Sequence, residues 1–186
     1  FAYYEAGCVD DIAQACAWAG LGRLTHGNGD GARRLLEAAC EAGDPIGCYW
    51  LGSTLRRAGN APALDVERHH ATACKARVQD ACADLAALQW RGDVRSPDAR
   101  TTWSLASSSC ANGSTQGCYV QAVIEATPTA FGGKGSTTTA LTRLDAVCGS
   151  VGDHPACALA TRLRGKDQVI EKLPVEQFAL LPSVDD

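Results

Sequence analysis

The stretch LEAACEAGDPIGCYW, Leu36 to Trp50, places two cysteines eight residues apart around a short polar segment. A continuous helix would separate the Cα atoms of Cys40 and Cys48 by roughly 12 Å, at about 1.5 Å per residue. A disulfide needs Cα atoms within about 7 Å of each other. A bond between these two sulfurs would therefore require the chain to reverse direction between them.

The residues between the two cysteines favour such a reversal. Gly43 suits the left-handed position that often follows a helix. Asp44 can accept a hydrogen bond from the free N–H groups of a following helix. Pro45 then falls at the first helical position, where a missing N–H costs little. The stretch predicts a helix, a tight turn and a second helix, with one cysteine on each arm.

The same arrangement recurs along the whole chain. Adjacent cysteines are eight residues apart four times and nine apart once, and the pairs recur every 32 to 39 residues. The longer gap holds one extra residue, His154, in its turn. A period of this size is typical of stacked supersecondary units. The cysteines are Cys8, Cys16, Cys40, Cys48, Cys74, Cys82, Cys110, Cys118, Cys148 and Cys157.

The turns and second helices of the units share further features. Ser114 or Thr115 is the candidate helix cap of the fourth turn, and Asp80 is the candidate cap of the third. One helical turn after each second cysteine lies a residue that is small in four of the five units. A small side chain there allows a neighbouring helix to approach closely. These residues are Gly20, Gly52, Ala86, Ala122 and Thr161.

Composition narrows the class of protein. The chain has 186 residues, of which 46% are hydrophobic and only 6% aromatic, which favours one domain of close-packed helices. A net charge of −4 argues against nucleic-acid binding. No apolar run approaches the roughly 20 residues of a membrane span, so we expect no transmembrane segment. The chain begins at Phe1 and has no methionine, which predicts a processed or excised piece.

The segments FAYYEAGC, LLEAACEAGDPIGCYWLG and GCYVQA resemble the Sel1-like repeat, a relative of the tetratricopeptide repeat. The cysteine spacing is similar to that of the cysteine-rich bacterial subgroup first described from Helicobacter. The resemblance implies a right-handed α-solenoid of about five disulfide-stapled helical hairpins over residues 1–165. Residues 166–186 break the pattern, and we expect a C-terminal cap, or a segment that docks on a partner or on a second copy in a homodimer.

In the resembled family a disulfide closes each hairpin. The implied pairs are Cys8–Cys16, Cys40–Cys48, Cys74–Cys82, Cys110–Cys118 and Cys148–Cys157. Paired cysteines in even number indicate an oxidising compartment: the periplasm, the cell surface or the medium of a bacterium. Two alternatives are a zinc site and free buried thiols. Zinc is disfavoured because its ligands usually come from C-x₂₋₄-C segments, which are absent.

No motif indicates catalysis, a metal or a cofactor. His69 and His70 point about 100° apart on a helix, so we expect one packed and one exposed ring rather than chelation. The segment FGGKGST, residues 131–137, fails the phosphate-loop pattern and is expected to belong to a flexible insertion over residues 127–139. Members of the resembled family are associated with penicillin binding and weak β-lactamase activity, but neither S-x-x-K nor G-x-S-x-G occurs.

The aromatic residues are the remaining candidates for binding. Four of the five candidates lie one or two residues after a second cysteine, and such side chains either pack between repeats or, if exposed on the concave wall, anchor a peptide. The candidates are Trp18, Tyr49, Trp50, Trp90 and Tyr119. We expect a non-catalytic scaffold, in the cell envelope or secreted, that binds a protein or peptide. The alternative is a cell-wall-fragment or penicillin-binding protein with weak β-lactamase-like hydrolase activity.

Overall fold

A computed structural model describes residues 2–10, 12–94, 98–127, 136–152 and 154–165. Throughout this part of the chain the regular secondary structure is α-helical, so the predicted all-α class is confirmed. None of these helices is long and apolar enough to cross a bilayer. The predicted C-terminal cap or dimer contact at 166–186, and most of the 127–139 insertion, lie outside the described residues. The helices are α1 Ala2–Val9, α2 Ala13–Thr25, α3 Gly29–Glu41, α4 Pro45–Ala58, α5 Ala63–Lys75, α6 Gln79–Arg91, α7 Ala99–Ala111, α8 Thr115–Ala126, α9 Thr137–Ser150 and α10 Pro155–Arg164.

The described residues divide into two compact units, residues 2–81 and residues 82–165. In the first unit each of the helices α1 to α4 packs against the helix that follows it, and α2 also packs against α4. In the second unit α7 to α10 pack in the same consecutive manner. The core of that second unit contains Ala86 and Ala87 from α6, together with Ala106, Val123 and Leu144 from the three following helices. Packing between consecutive helices is what stacked hairpins require.

The turn between Cys40 and Cys48 has the predicted chemistry. Gly43 has a φ of +88°, in the left-handed region where glycine has no steric cost. The Gly47 N–H donates to Asp44 Oδ1 at 2.7 Å, and Pro45 is the first residue of α4. In the fourth turn Ser114 is the cap, because its Oγ accepts from the Gly117 N–H at 2.8 Å.

The third turn differs from the sequence prediction, and the fifth has a cap for which no prediction was made. Helix α6 begins at Gln79, so Asp80 lies inside the first helical turn and the expectation that it caps the helix was wrong. The chain reverses instead through Arg77, which has a φ of +66°. In the fifth turn His154 is the cap, since its Nδ1 accepts from the Ala156 N–H at 3.1 Å.

Disulfides close the hairpins. Four of the implied bridges, Cys8–Cys16, Cys40–Cys48, Cys110–Cys118 and Cys148–Cys157, have Cα–Cα distances of 4.4 to 4.9 Å. Cys74 and Cys82 are also disulfide-bonded, so none of the ten cysteines, all of which are described, is free. The alternatives of free thiols and of a cysteine zinc site are therefore wrong. Five disulfides favour an oxidising, extracytoplasmic compartment.

The small residues of the second helices allow close packing, as predicted for most repeats. A Cβ atom added at Gly20 would lie 2.7 Å from Leu36 Cγ, and one added at Gly52 would lie 3.1 Å from His70 Nε2. Both distances are too short for an alanine without movement of the neighbour. Ala86 and Ala122 are fully buried, whereas Thr161 is exposed on α10.

Candidate functional site

Exposed hydrophobic side chains are concentrated at one end of the first unit. Among the described residues, five of the six large hydrophobic side chains that are exposed fall between residues 3 and 18. The sixth, Leu64, lies apart from them in sequence, on α5. Scattered single side chains need no explanation, but a cluster of this kind is typical of an interaction surface. The five are Tyr3, Tyr4, Val9, Ile12 and Trp18.

Helix α1 is only eight residues long and is held against α2 by three contacts. The Cys8–Cys16 disulfide joins the two helices. Gly7 allows close approach, because a Cβ there would lie 2.9 Å from Ala15 Cβ. An ion pair of 2.5 Å joins Arg23 to Glu5 across the surface of the two helices. The disulfide, rather than a large buried face, fixes α1, since no side chain of α1 is buried.

The position of α1 brings three aromatic rings together. The Tyr3 and Tyr4 rings meet edge to face with centroids 5.6 Å apart and planes at 76°. The Tyr4 and Trp18 rings are tilted by 33° with centroids 6.4 Å apart. These rings border an open cavity of about 460 Å³, within the size range of small-ligand sites. We call this cavity the aromatic pocket; its lining includes Tyr3, Tyr4, Asp10, Ile12, Gln14 and Trp18.

Comparison of the repeats shows that, among the described residues, only the first repeat exposes the position occupied by Tyr4. The position four residues before the first cysteine of each hairpin is Tyr4 in the first and is fully buried in all the others. Among the described residues, Tyr4 is in contrast 39% exposed. The later equivalents are Leu36, His70, Ala106 and Leu144.

Only Trp18, among the predicted binding residues, is exposed, at 41%. Tyr49, Trp50 and Tyr119 are buried, and Trp90 is half-buried against the core of the second unit. The Tyr49 and Trp50 rings pack at 4.9 Å, and Tyr119 meets the His154 ring edge to face at 5.2 Å. The structure therefore brings none of these four side chains to the aromatic pocket and assigns Tyr49, Trp50 and Tyr119 to helix packing.

The sequence prediction missed Tyr3, Tyr4 and Asp10 as pocket residues. The signal available was the YY pair in FAYYEAGC, which fills a slot that holds other residue types in later repeats. The pair could be recognised as a repeat position, but its exposure depends on which helix covers it. Exposure of the pair is therefore set by tertiary packing, which the repeat pattern alone does not give.

The two adjacent histidines have separate environments: one ring is packed, as expected, but the other is half-buried and not exposed. His70 is fully buried, and that burial, with smaller contributions from Arg56 and His69, lowers its pKa to about 3. Among the described residues, neither ring nitrogen of His70 has a hydrogen-bond partner. His69 is half-buried, with Nδ1 3.6 Å from the Cys40 sulfur, which is held in a disulfide. Within the described part of the chain, no group of three or more His, Cys, Asp or Glu side chains is placed to hold a metal.

A buried carboxylate in the second unit acts as a structural link between helices. Glu125 Oε1 on α8 accepts from Trp103 Nε1 of α7 at 3.3 Å and from Gln121 Nε2 at 3.0 Å. Glu125 Oε2 accepts from Arg143 Nε of α9 at 2.9 Å. Buried charges are tolerated when they are paired and hydrogen-bonded in this way. Both carboxylate oxygens are engaged, so this group holds three helices in register.

No protein-family model matches the chain, and a comparison with curated proteins finds no match. The likeness to Sel1-like repeats therefore stays a prediction, and the aromatic pocket is judged on its own chemistry.

Proposed function

We propose that this chain is a non-catalytic scaffold that binds a peptide or an exposed segment of another protein, outside the cytoplasm, on a right-handed Sel1-like solenoid. The observation that carries the proposal is the aromatic pocket, where three clustered rings remain exposed on a covalently braced pair of helices. Tyr and Trp side chains contribute large contact areas at little entropic cost and dominate binding interfaces. The disulfide on α1 and α2 pre-organises them, which reduces the entropic cost of binding.

The compartment follows from the same covalent framework. Disulfides persist in the periplasm, at the cell surface and in the medium, and are rare where thiols are kept reduced. All ten described cysteines are bonded. We therefore assign the scaffold to one of these extracytoplasmic places, where its partners are envelope or extracellular polypeptides.

The test is selection of random displayed peptides on the oxidised protein, followed by affinity measurement on variants. We expect selected peptides to lose about tenfold or more in affinity with Trp18→Ala, the effect of removing an aromatic anchor. The matched control is Leu64→Ala, which removes another exposed hydrophobic side chain of the first unit and is expected to change nothing.

Two results would contradict the proposal. The first is that no peptide is enriched, or that enriched peptides bind the Trp18→Ala variant as tightly as the parent protein. The second is hydrolysis of the β-lactam nitrocefin that co-purifies with the protein and stays with it through a further separation step. That second result would favour the hydrolase alternative.

A further inference from the structure

We propose that the aromatic pocket binds a cationic side chain, an arginine or lysine of the bound peptide, beside the carboxylate of Asp10. This inference rests on the proposed peptide-binding function and adds the chemical class of the residue recognised. It comes from the composition of the pocket lining and from the way its rings are arranged.

Among the described residues that line the pocket, one side chain is charged, the carboxylate of Asp10. The cation nearest along α2, Arg23, is engaged with Glu5 and is not part of the lining. The described lining of the pocket therefore presents a negative charge and no cationic side chain beside it. The net charge of the chain, −4, adds a weak attraction for cations at longer range.

The three rings complement that charge. The face of an aromatic ring carries negative electrostatic potential, and it attracts an ammonium or guanidinium group placed within about 6 Å of its centre. The Tyr3 and Tyr4 rings are nearly perpendicular, the Trp18 ring is tilted relative to Tyr4, and all three residues line one cavity. A cation in the cavity can therefore contact more than one ring while remaining near Asp10.

The residue types of the aromatic pocket also favour a hydrated ligand with a polar end over the packing of another apolar helix. Three of the four later repeats fill the equivalent slot with an apolar side chain, Leu36, Ala106 or Leu144, and the third repeat fills it with His70; all four are buried. The first repeat instead has Tyr4, with Tyr3 before it and Gln14 on the facing helix. Tyrosine and tryptophan suit sites that are apolar on one side and hydrated on the other. Ile12, at the edge of the pocket, offers apolar contact to a neighbouring residue of the peptide.

The test uses two peptides that differ in one charge. One is acetyl-Ser-Leu-Arg-Ser amide; the other has citrulline, a neutral isostere of arginine, in the same place. Binding is followed through the indole N–H resonances of the intact oxidised protein, whose four tryptophans give four signals. The Trp18 signal is identified by its loss in Trp18→Phe. We expect the arginine peptide to shift the Trp18 signal and to bind about tenfold more tightly than the citrulline peptide.

Two variants separate charge from fold. Asp10 is exposed, so Asp10→Asn is expected to leave helicity unchanged and to weaken the arginine peptide about two- to fivefold, with no effect on the citrulline peptide. Glu41→Gln removes the same charge from an exposed position at the end of α3, outside the pocket, and is expected to have no effect. The preference for arginine is also expected to shrink from 0.05 to about 0.5 M salt, because exposed charges are screened.

Equal binding of both peptides, or a shift of other indole signals without that of Trp18, would overturn the inference. So would self-association of the protein that buries Trp18 and is abolished by Tyr3→Ala. The proposed scaffold function fails separately. If displayed peptides are selected that bind elsewhere, the scaffold stands and the cation site falls; if none is selected and neither test peptide binds, both fall.

Discussion

At the scale of a single residue, His70 is the group whose chemistry most constrains the first unit. It occupies the slot that Leu36 and Leu144 fill in other repeats, yet it carries two polar nitrogens to which no described residue hydrogen-bonds. Its burial is tolerated because the ring is neutral: burial, then the nearby charges of Arg56 and His69, lowers the pKa from 6.5 to about 3. The neutral His70 ring therefore packs in the core much as an apolar side chain would.

The His70 pKa predicts how stability depends on pH. The unfolded chain takes up a proton on this histidine near pH 6.5, whereas the folded chain does so only near pH 3. Between these values the unfolded state binds more protons, so the free energy of unfolding decreases as the pH falls, by a few kcal/mol in total. Urea unfolding between pH 4 and pH 7 measures this loss. His70→Leu is expected to remove most of the slope.

The matched control for that experiment is Leu64→Ala, which changes an exposed side chain of the same helix, α5. It removes no titratable group, so it is expected to leave the pH dependence unchanged. An unchanged slope in His70→Leu would show that other groups, not this buried ring, carry the acid sensitivity. A more stable protein at pH 5 than at pH 7 would contradict the assignment of a lowered pKa altogether.

At the scale of an element, the helical hairpin depends on the residue directly before its second cysteine. That residue is glycine or alanine in every repeat and is buried each time. The disulfides draw the two Cα atoms to within 4.4 to 4.9 Å, so the helix arms nearly touch at this point. A larger side chain would collide with the opposite arm. The residues are Ala15, Gly47, Ala81, Gly117 and Ala156.

Two glycine-to-alanine changes in the second unit test this account. At Gly117 an added Cβ would lie 2.6 Å from the backbone nitrogen of Cys110, which cannot move away freely. We expect Gly117→Ala to destabilise the fold by about 1–3 kcal/mol, the usual cost of overpacking. At Gly149, inside α9, an added Cβ meets nothing within 4 Å. Gly149→Ala is expected to stabilise by about 0.5–1 kcal/mol through helix propensity.

Thermal unfolding followed by circular dichroism measures both variants in one experiment. The two changes add the same methyl group to helical glycines, so opposite signs isolate the effect of close packing. If Gly117→Ala were as stable as Gly149→Ala, the close approach of the hairpin arms would not limit which residues fit there.

The hairpins also show which parts of the fold are readable from sequence. Gly43, Asp44 and Pro45 each have a conformational preference strong enough to act locally, so the turn they form was predicted residue by residue. The third turn was not, because Arg77 adopts a left-handed conformation that arginine seldom takes by itself. The surrounding hairpin imposes it. Trp18 and Trp50 occupy equivalent positions in their repeats. Trp50 is buried on α4, which packs against α2, the second helix of the preceding repeat, whereas Trp18 on α2 is exposed.

At the scale of the whole molecule, the covalent bonds set the stability. Each hairpin encloses few residues and little core of its own, so a repeat depends on its neighbours and on its bridge. In the chain-entropy account, closing a loop of eight or nine residues contributes about 2–3 kcal/mol. Globular domains are stable by about 5–15 kcal/mol in total. Five bridges, even if their effects are only partly additive, are therefore comparable with the whole margin between folded and unfolded states.

Removal of one disulfide should therefore lower the stability of the fold, whereas removal of all five should abolish folding. The double variant Cys40→Ala, Cys48→Ala is expected to remain folded, with a midpoint lowered by about 5–10 °C, from a loss of 2–3 kcal/mol. Complete reduction is expected to abolish the cooperative helical transition at 25 °C. Thiol titration of the denatured, unreduced protein accompanies both measurements, with a value near zero expected for the parent chain, because all ten cysteines are bonded. A reduced protein that melted at the same temperature as the oxidised one would show that the bridges do not stabilise the fold, and stability would then give no reason for the chain to fold in an oxidising compartment.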